Sequence, residues 1–550
     1  MSRYQKLELT WIGKDEELNL EPRILIEDKS KAYGERDTEN MLIKGDNLLA
    51  LKALEADFTA KVKCIYIDPP YNTGNAFEHY DDGLEHSLWL SLMRDRLKLL
   101  WSLLRLDNGI LLISVNDDEC HYLKVLCDEL FGRNCFISCL IWNYEGNTDN
   151  QAKIINYHEY ILVYSKSGEI DDPDVIDPNI SEKSKIFNSE IRNTIVKNGP
   201  KNPPVMVKIP KGFPASFEKG LIKKDSVNYP QYSDDIVVEN FKTQNSVRAI
   251  SGWSSRKILE TFIDNEFTST LDSKGQNTIF EITSTGAIEA VKQRQQKKGH
   301  FVSVLRGFGT TNQMRIFLEK MGLKFTYPKP VNLISYLIEA FSGPNDLILD
   351  SFAGSGTTAH AVLKLNLEKK SDRKFILVEL YENNIKVITE RLKHLIKGNS
   401  NLSIASHNGG FKYYHLAPSL LQQDEKENWL INPVYDENMV AEAMAKHQGF
   451  TYKPDLESFW KQGFSTENDY IYTTSKLINL GLLKEIHESM KDKETLLICC
   501  KAFEAKCEKA FHKITIKKIP ASVLKKCEFG KEDYSLKITE TNSEEEPSLT

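Results

Sequence analysis

The stretch from Leu347 to Leu380 constrains the fold more than any other. Leu347-Ile348-Leu349-Asp350 reads as a buried strand, and Ser351-Phe352-Ala353-Gly354-Ser355-Gly356 reads as a turn. TTAHAVLKLN, from Thr357, then has the spacing of a helix, and KFILVEL, from Lys374, that of a second strand. Strand, glycine turn, helix and strand in that order are the unit of an α/β sheet. The glycines let the backbone turn sharply into the helix and come close to a ligand. Glu379 ends the second strand 23 residues after Gly356, where a carboxylate can accept hydrogen bonds from ribose hydroxyls. The loop lacks the Lys and Ser/Thr placement of a phosphate-binding loop and the third glycine of the dinucleotide fingerprint. The ligand expected from these residues is a nucleoside without phosphates, and S-adenosylmethionine fits.

The same alternation begins at Met41. MLIKGDN reads as a strand end and turn, LLALKALEADF as an amphipathic helix, and CIYI as a short apolar strand. SLWLSLMRDRLKLLWSLL has apolar residues at helical spacing, NGILLISV is a buried strand, and HEYILVYSK is another. Near Gly168 the pattern gives way to Asp, Pro, Lys and Asn, and it resumes at about residue 311. Five segments follow: an N-terminal arm over 1–40, one half of an α/β domain over 41–169, a loop-rich insert over 170–310, the second half over 311–415, and a separate module over 416–550. In the last, ETLLICCKAFEAKCEKAF and KITIKKIP predict strand, helix, strand, and the acidic end TETNSEEEPSLT reads as disordered.

Asp68-Pro69-Pro70-Tyr71 follows the strand CIYI directly. An aromatic amine is a poor nucleophile because its lone pair is delocalised into the ring. Acceptors for both N–H groups return electron density to nitrogen and favour the pyramidal geometry needed for attack on a methyl sulfonium. Asp68 supplies one acceptor and the Pro69 carbonyl the other, and proline's fixed φ makes the turn rigid. Tyr71 offers a flat face on which an extruded base can stack. A bare four-residue match would be no more than a proline-capped strand end. Its pairing with a glycine loop in a second α/β half favours chemistry.

With these residues in place, the chain resembles the amino-methyltransferases of DNA, and specifically the modification subunits of type III restriction-modification systems. The catalytic motif of that family matches Asp68 to Tyr71, extended as DPPYNTGNAFEHYDD, and its cofactor motif matches DSFAGSGTT. The catalytic motif comes first, with a long insert between the two, which is the beta-class order. GDNLLALKAL, NYHEYILVYSK and Tyr327-Pro328-Lys329-Pro330 are also similar to the family. The resemblance implies a mostly parallel, doubly wound sheet of the S-adenosylmethionine-dependent methyltransferase fold. It implies cofactor contacts from Asp350, Phe352, Gly354, Gly356, Thr357 and Glu379, with Asp46 and Lys329 beside them. Aspartate at the head of the catalytic turn is more typical of adenine-N6 than of cytosine-N4 enzymes. The expected activity is therefore adenine-N6 methylation of duplex DNA. Cytosine-N4 or RNA methylation, and a mainly DNA-recognising subunit that guides a restriction motor, are the alternatives.

A net charge of −7 by itself argues against a nucleic-acid partner. The average hides a patch: between Lys183 and Lys224 ten Lys and Arg face two acids, Glu190 and Glu218. Taken alone this is a solvated loop. In the position that the family uses for target recognition it becomes a phosphate-contacting surface, with Lys208, Lys211, Lys223 and Lys224 as its expected contacts. The cluster Gln293, Arg294, Gln295, Gln296, Lys297, Lys298 reads equally well as base-reading or as an exposed helix face. The C-terminal module carries no catalytic constellation; the resemblance implies a site for homodimerisation or for docking an ATP-driven restriction (helicase-endonuclease) subunit, and a purely structural cap is the alternative. Nine cysteines without paired zinc spacing, no export signal and no long apolar run predict a cytoplasmic protein with no metal and no membrane partner.

Overall fold

The computed structural model describes residues 8–71, 82–144, 153, 155–181, 183–184, 187–273, 275–293, 299–398, 400, 405–407, 409–524 and 526–535. The chain divides into two compact units, residues 1–177 with 300–550, and residues 178–299.

The first unit is built on an eleven-stranded sheet. Its strands in chain order are β1 (Leu25–Glu27), β2 (Tyr33–Gly34), β3 (Met41–Lys44), β4 (Cys64–Ile67), β5 (Ile110–Val115), β6 (Phe136–Asn143) and β7 (His158–Ser165). They continue with β8 (Val304–Leu305), β9 (Leu347–Asp350), β10 (Lys374–Glu379) and β11 (Gly410–Leu416). The spatial order is β1-β11-β3-β10-β9-β4-β5-β7-β6-β8, with β2 on β11. From β11 to β5 every pairing is parallel, while β7 runs antiparallel to both β5 and β6. The segment expected as an arm thus contributes two short strands, both antiparallel to β11.

Among the described residues seven helices belong to this layer structure: α1 (Asn47–Phe58), α2 (Asp82–Leu103), α3 (Asp117–Phe131), α4 (Thr311–Lys320), α5 (Val331–Phe341), α6 (Thr357–Lys369) and α7 (Glu382–Lys397). The central strands are buried on both faces, which is why they read as unbroken apolar runs. Cys64 and Tyr66 of β4 join Leu333 and Leu337 of α5, Val362 of α6 and Ile388 of α7 in one core cluster. Ile65 and Ile67 of the same strand join Leu51 of α1, Leu97 of α2 and Leu123 of α3 in another. The period-2 alternation of one four-residue strand therefore feeds two helical layers.

The second unit is largely antiparallel. Strands 205–209, 231–232 and 247–251 form one sheet, strands 219–222, 236–239 and 242–243 a second, and strands 190–194, 270–271, 277–282 and 288–293 a third. They close over a core containing Ile209, Phe213, Phe262 and Phe280. The chain leaves the first unit and returns to it at one point. Asp177 N–H donates to the His300 carbonyl at 2.9 Å, and His300 N–H donates to the Val175 carbonyl at 2.7 Å.

Residues 416–550 fall within the first unit. They carry a five-stranded sheet in which strands 469–474, 495–500 and 514–518 run parallel. The helix expected after Cys500 does not form, and only a 3-10 turn, Ala505–Cys507, is present. Ile478 N–H donates to the Ala502 carbonyl at 3.1 Å, and Glu504 N–H donates to the Ile478 carbonyl at 3.0 Å. These bonds pin the backbone that would have formed the first helical turn, so tertiary pairing overrides the periodicity.

Candidate active site

Strands β10, β9 and β4 are neighbours, and their carboxyl ends carry Glu379, Asp350 and Asp68 side by side. Ligands of open α/β sheets bind outside such ends. A cleft of about 280 Å³ opens there, with Phe352 and Glu379 on one side and Asp68, Pro70 and Tyr71 on the other.

The glycine turn is held from behind. Gly354 and Gly356 have φ of +52° and +77°, a region that side chains with a Cβ avoid. A Cβ on Gly356 would stand 3.1 Å from Ile388, and one on Gly354 would stand 3.4 Å from Phe325. Asp350 accepts from Phe352 N–H at 2.9 Å and from the Thr358 hydroxyl, so it shapes the turn from within the core. Burial pushes its carboxyl up to about 7. Glu379 accepts from Gly354 N–H at 2.8 Å and from Leu380 and Tyr381 N–H at 3.0 Å each. Burial still raises its carboxyl above the usual range. The Thr357 hydroxyl is turned inward, donating to the Lys329 carbonyl at 3.2 Å. Beneath the turn the fully buried Arg391 guanidinium donates to the Ser355 carbonyl at 2.8 Å and to the Thr357 hydroxyl at 3.2 Å.

Asp46 lines the same cleft, but its oxygens are engaged. One caps α1 by accepting from Leu49 N–H at 3.1 Å; the other accepts from Arg96 at 3.3 Å and from Tyr534 N–H at 3.1 Å. Its neighbour Asn47 donates to the Ser351 carbonyl at 2.9 Å and so joins the head of α1 to the glycine turn.

The Asp-Pro-Pro-Tyr turn is fixed by residues far away in sequence. The Trp89 indole, buried on α2, donates to the Pro70 carbonyl at 2.9 Å. The Tyr71 hydroxyl lies 2.9 Å from Asp68 Oδ1 and 2.9 Å from Glu159 Oε2. Lys329 Nζ stands 2.8 Å from Asp68 Oδ2, 3.2 Å from Glu159 Oε2 and 3.1 Å from the Tyr71 oxygen. Burial would lower the Lys329 pKa, but Asp68 and Glu159 outweigh it and hold the ammonium above the usual lysine value. Burial, with Asp68 and then Glu159 adding to it, keeps the Tyr71 hydroxyl protonated far above its ordinary range. Lys329, expected beside the cofactor, is thus tied to the Asp-Pro-Pro-Tyr turn. Sequence reasoning did not single out Glu159, Trp89, Asn47 or Arg391. The one available signal for Glu159 was a carboxylate heading the apolar strand β7.

A sheet-end cleft shared by a glycine turn, an acid and a rigid Asp-Pro-Pro-Tyr turn is the arrangement expected of an α/β methyltransferase. The chain belongs to the DNA methylase family: the N6/N4 methyltransferase model of that family matches residues 62–390. It is accordingly a DNA methyltransferase, with S-adenosylmethionine as the methyl donor. The EcoPI Mod subunit of a type III restriction-modification enzyme, from Escherichia phage P1, is 29% identical over 495 residues, covering 78% of this chain and 74% of that protein. The EcoP15I Mod subunit from Escherichia coli is 29% identical over 494 residues, with the same coverage of each chain. The type II methyltransferase M.KpnI of Klebsiella pneumoniae is 29% identical over 365 residues, 62% of this chain and 81% of that one.

The lysines expected to meet DNA all lie in the second unit, and all four are exposed. Lys208 projects from strand 205–209 directly opposite Arg248 of strand 247–251. Arg248 was outside the basic stretch in sequence, and register brings it alongside. Lys211 follows in the next turn, whereas Lys223 and Lys224 follow strand 219–222 of a different sheet. Gln293 donates to Glu190 at 3.0 Å, and Arg294 to Lys298 lie outside the described residues. Among the described residues no helix is long and apolar enough to cross a membrane.

Proposed function

We propose that this chain is the modification and specificity subunit of a type III restriction-modification system, methylating N6 of adenine in duplex DNA. The observation that carries the reading is the shared cleft: the amine-binding turn and the glycine turn open into one space. S-adenosylmethionine supplies an electrophilic methyl group on a sulfonium. Phe352 and Glu379 line its side of the cleft, the glycine turn gives it close backbone approach, and Asp350 holds that turn in shape. An extruded adenine stacks on the Tyr71 ring. Asp68 accepts one N–H of its amine and the Pro69 carbonyl accepts the other, which localises the lone pair on nitrogen. The ring loses its π-conjugation to the amine only as the bond forms, so these acceptors act mainly on the transition state. Loss of a proton completes the reaction, and Asp68 is the carboxylate placed to receive it.

Lys208, Lys211, Lys223 and Lys224 contact phosphates, and the partners are a second copy of the chain and an ATP-driven restriction subunit in the cytoplasm. Similarity to two type III Mod subunits over about three quarters of their length supports this assignment. The test is modification-sensitive sequencing of DNA from cells that express the chain in a methylation-free background. N6-methyladenine at a defined sequence is expected. N4-methylcytosine, or no modification of DNA, would overturn the reading.

A further inference from the structure

The cluster around Asp68 holds one acid more than the ammonium at its centre requires. Lys329 lies between two carboxylates, Asp68 at 2.8 Å and Glu159 at 3.2 Å, and the Tyr71 hydroxyl lies 2.9 Å from each. Both donors can therefore be held by either acid. Glu159 sits on β7, opposite Trp142 of β6, and only 18% of its side chain is exposed. The Lys329 ammonium also stands 5.1 Å from the centre of the Tyr71 ring.

An Asp68 carboxylate that served this ammonium and this hydroxyl alone would have both oxygens engaged and its charge neutralised. It would then be a poor acceptor for an amine N–H. We infer that Glu159 is a positioning residue for methyl transfer: it shares Lys329 and the Tyr71 hydroxyl with Asp68, so that Asp68 keeps uncompensated charge with which to receive the amine. With Glu159 the three ionised side chains sum to −1 rather than zero. That residual charge lies beside the nitrogen as it turns cationic on gaining the methyl group, before it sheds a proton. In a buried site such a charge acts with little screening. Lys329 in turn stands between the two close carboxylates and offsets their mutual repulsion. The inference rests on the reading that Asp68 receives the amine.

The full chain, unmethylated genomic DNA and S-adenosylmethionine suffice to test it. Glu159→Gln keeps the shape and the hydrogen bonds but removes the charge. Single-turnover methyl transfer should slow by about tenfold, the size of coupling expected between directly contacting groups. Cofactor affinity by calorimetry and the melting temperature should stay near wild type. Glu159→Asp, which keeps the charge, should recover part of the rate. Because Glu159 and Asp68 share Lys329, the losses from Glu159→Gln and Lys329→Met should combine to less than their sum. A wild-type rate for Glu159→Gln would overturn the inference, as would fully additive losses in the double variant. So would a Glu159→Asp variant no faster than Glu159→Gln. Asp68→Ala in the same assay separates the two levels. If it methylates at the wild-type rate, the reading of the whole site fails. If it is inactive while Glu159→Gln is unimpaired, only the role of Glu159 falls.

Discussion

The charges at the catalytic turn and those on the inserted unit follow opposite rules. Asp68, Glu159 and Lys329 are mostly buried, and each is within 3.2 Å of a charged partner. Lys208, Lys211, Lys223 and Lys224 are exposed, and among the described residues none has a carboxylate within ion-pair distance. A buried charge must be matched at the cost of several kcal/mol if it is not, so its geometry is narrowly determined. An exposed ammonium is solvated in many rotamers and gains little from any one arrangement. The first kind of site stabilises one transition state, whereas the second suits a polyanion whose phosphates it can meet in several ways.

The contrast is sharpest at Asp68. Replacing it by alanine should reduce single-turnover methyl transfer on the order of 10²- to 10³-fold, as for other preorganised groups that act on developing charge. Cofactor affinity should remain close to wild type. Asp68→Asn keeps an acceptor oxygen but not the charge, and it should be nearly as impaired. A large loss of cofactor binding in either variant would break the distinction between the two halves of the cleft.

Tyr71 should give the next largest effect. Tyr71→Ala loses a stacking face worth roughly 1–3 kcal/mol per base. Tyr71→Phe keeps the ring and removes only the hydroxyl that spans Asp68 and Glu159, so it should retain more activity than Tyr71→Ala. Equal reductions in the single-turnover rate would make the hydroxyl, rather than the ring, the main contributor.

The smallest effects per residue belong to the inserted unit. Reversing any one of the four lysines should change stability by no more than about 0.5 kcal/mol. Reversing all four should weaken binding to every DNA sequence alike and flatten the dependence of log affinity on log salt by about 0.9 for each phosphate no longer neutralised. Fluorescence anisotropy over a salt series measures both. An unchanged slope would return these lysines to the role of a solvated surface.

What could be read in the sequence follows the same division. Asp68 to Tyr71 and the turn from Ser351 to Gly356 are contiguous, and their chemistry is local, so residue order alone exposes them. Glu159, Trp89 and Arg391 act across 88, 19 and 36 residues on Tyr71, Pro70 and Ser355. Only the folded sheet and helices bring them together. Asp46 was legible only in part: it lines the cleft as expected, while its engagement with a helix cap, Arg96 and Tyr534 N–H appears only in the fold. The segment after Cys500 has helical spacing at Phe503, Cys507 and Phe511, and bonds to Ile478 prevent the helix. In the inserted unit, alternation was hidden by short strands, and Arg248 joined Lys208 only through cross-strand register.

The return of the chain at Asp177 and His300 has a consequence on the timescale of gene exchange. Asp68 and Lys329 are 261 residues apart in sequence, and nearly half of that interval, residues 178–299, forms a compact unit of its own. The backbone bonds between Val175, Asp177 and His300 bring its ends together whatever lies beyond them. Lengthening a segment closed in this way raises its closure entropy only logarithmically. Recombination that replaces residues 178–299 as one block therefore keeps both halves of the cleft in register. On the proposal that this unit reads the DNA target, one such exchange changes the sequence recognised and leaves the residues of the cleft as they were.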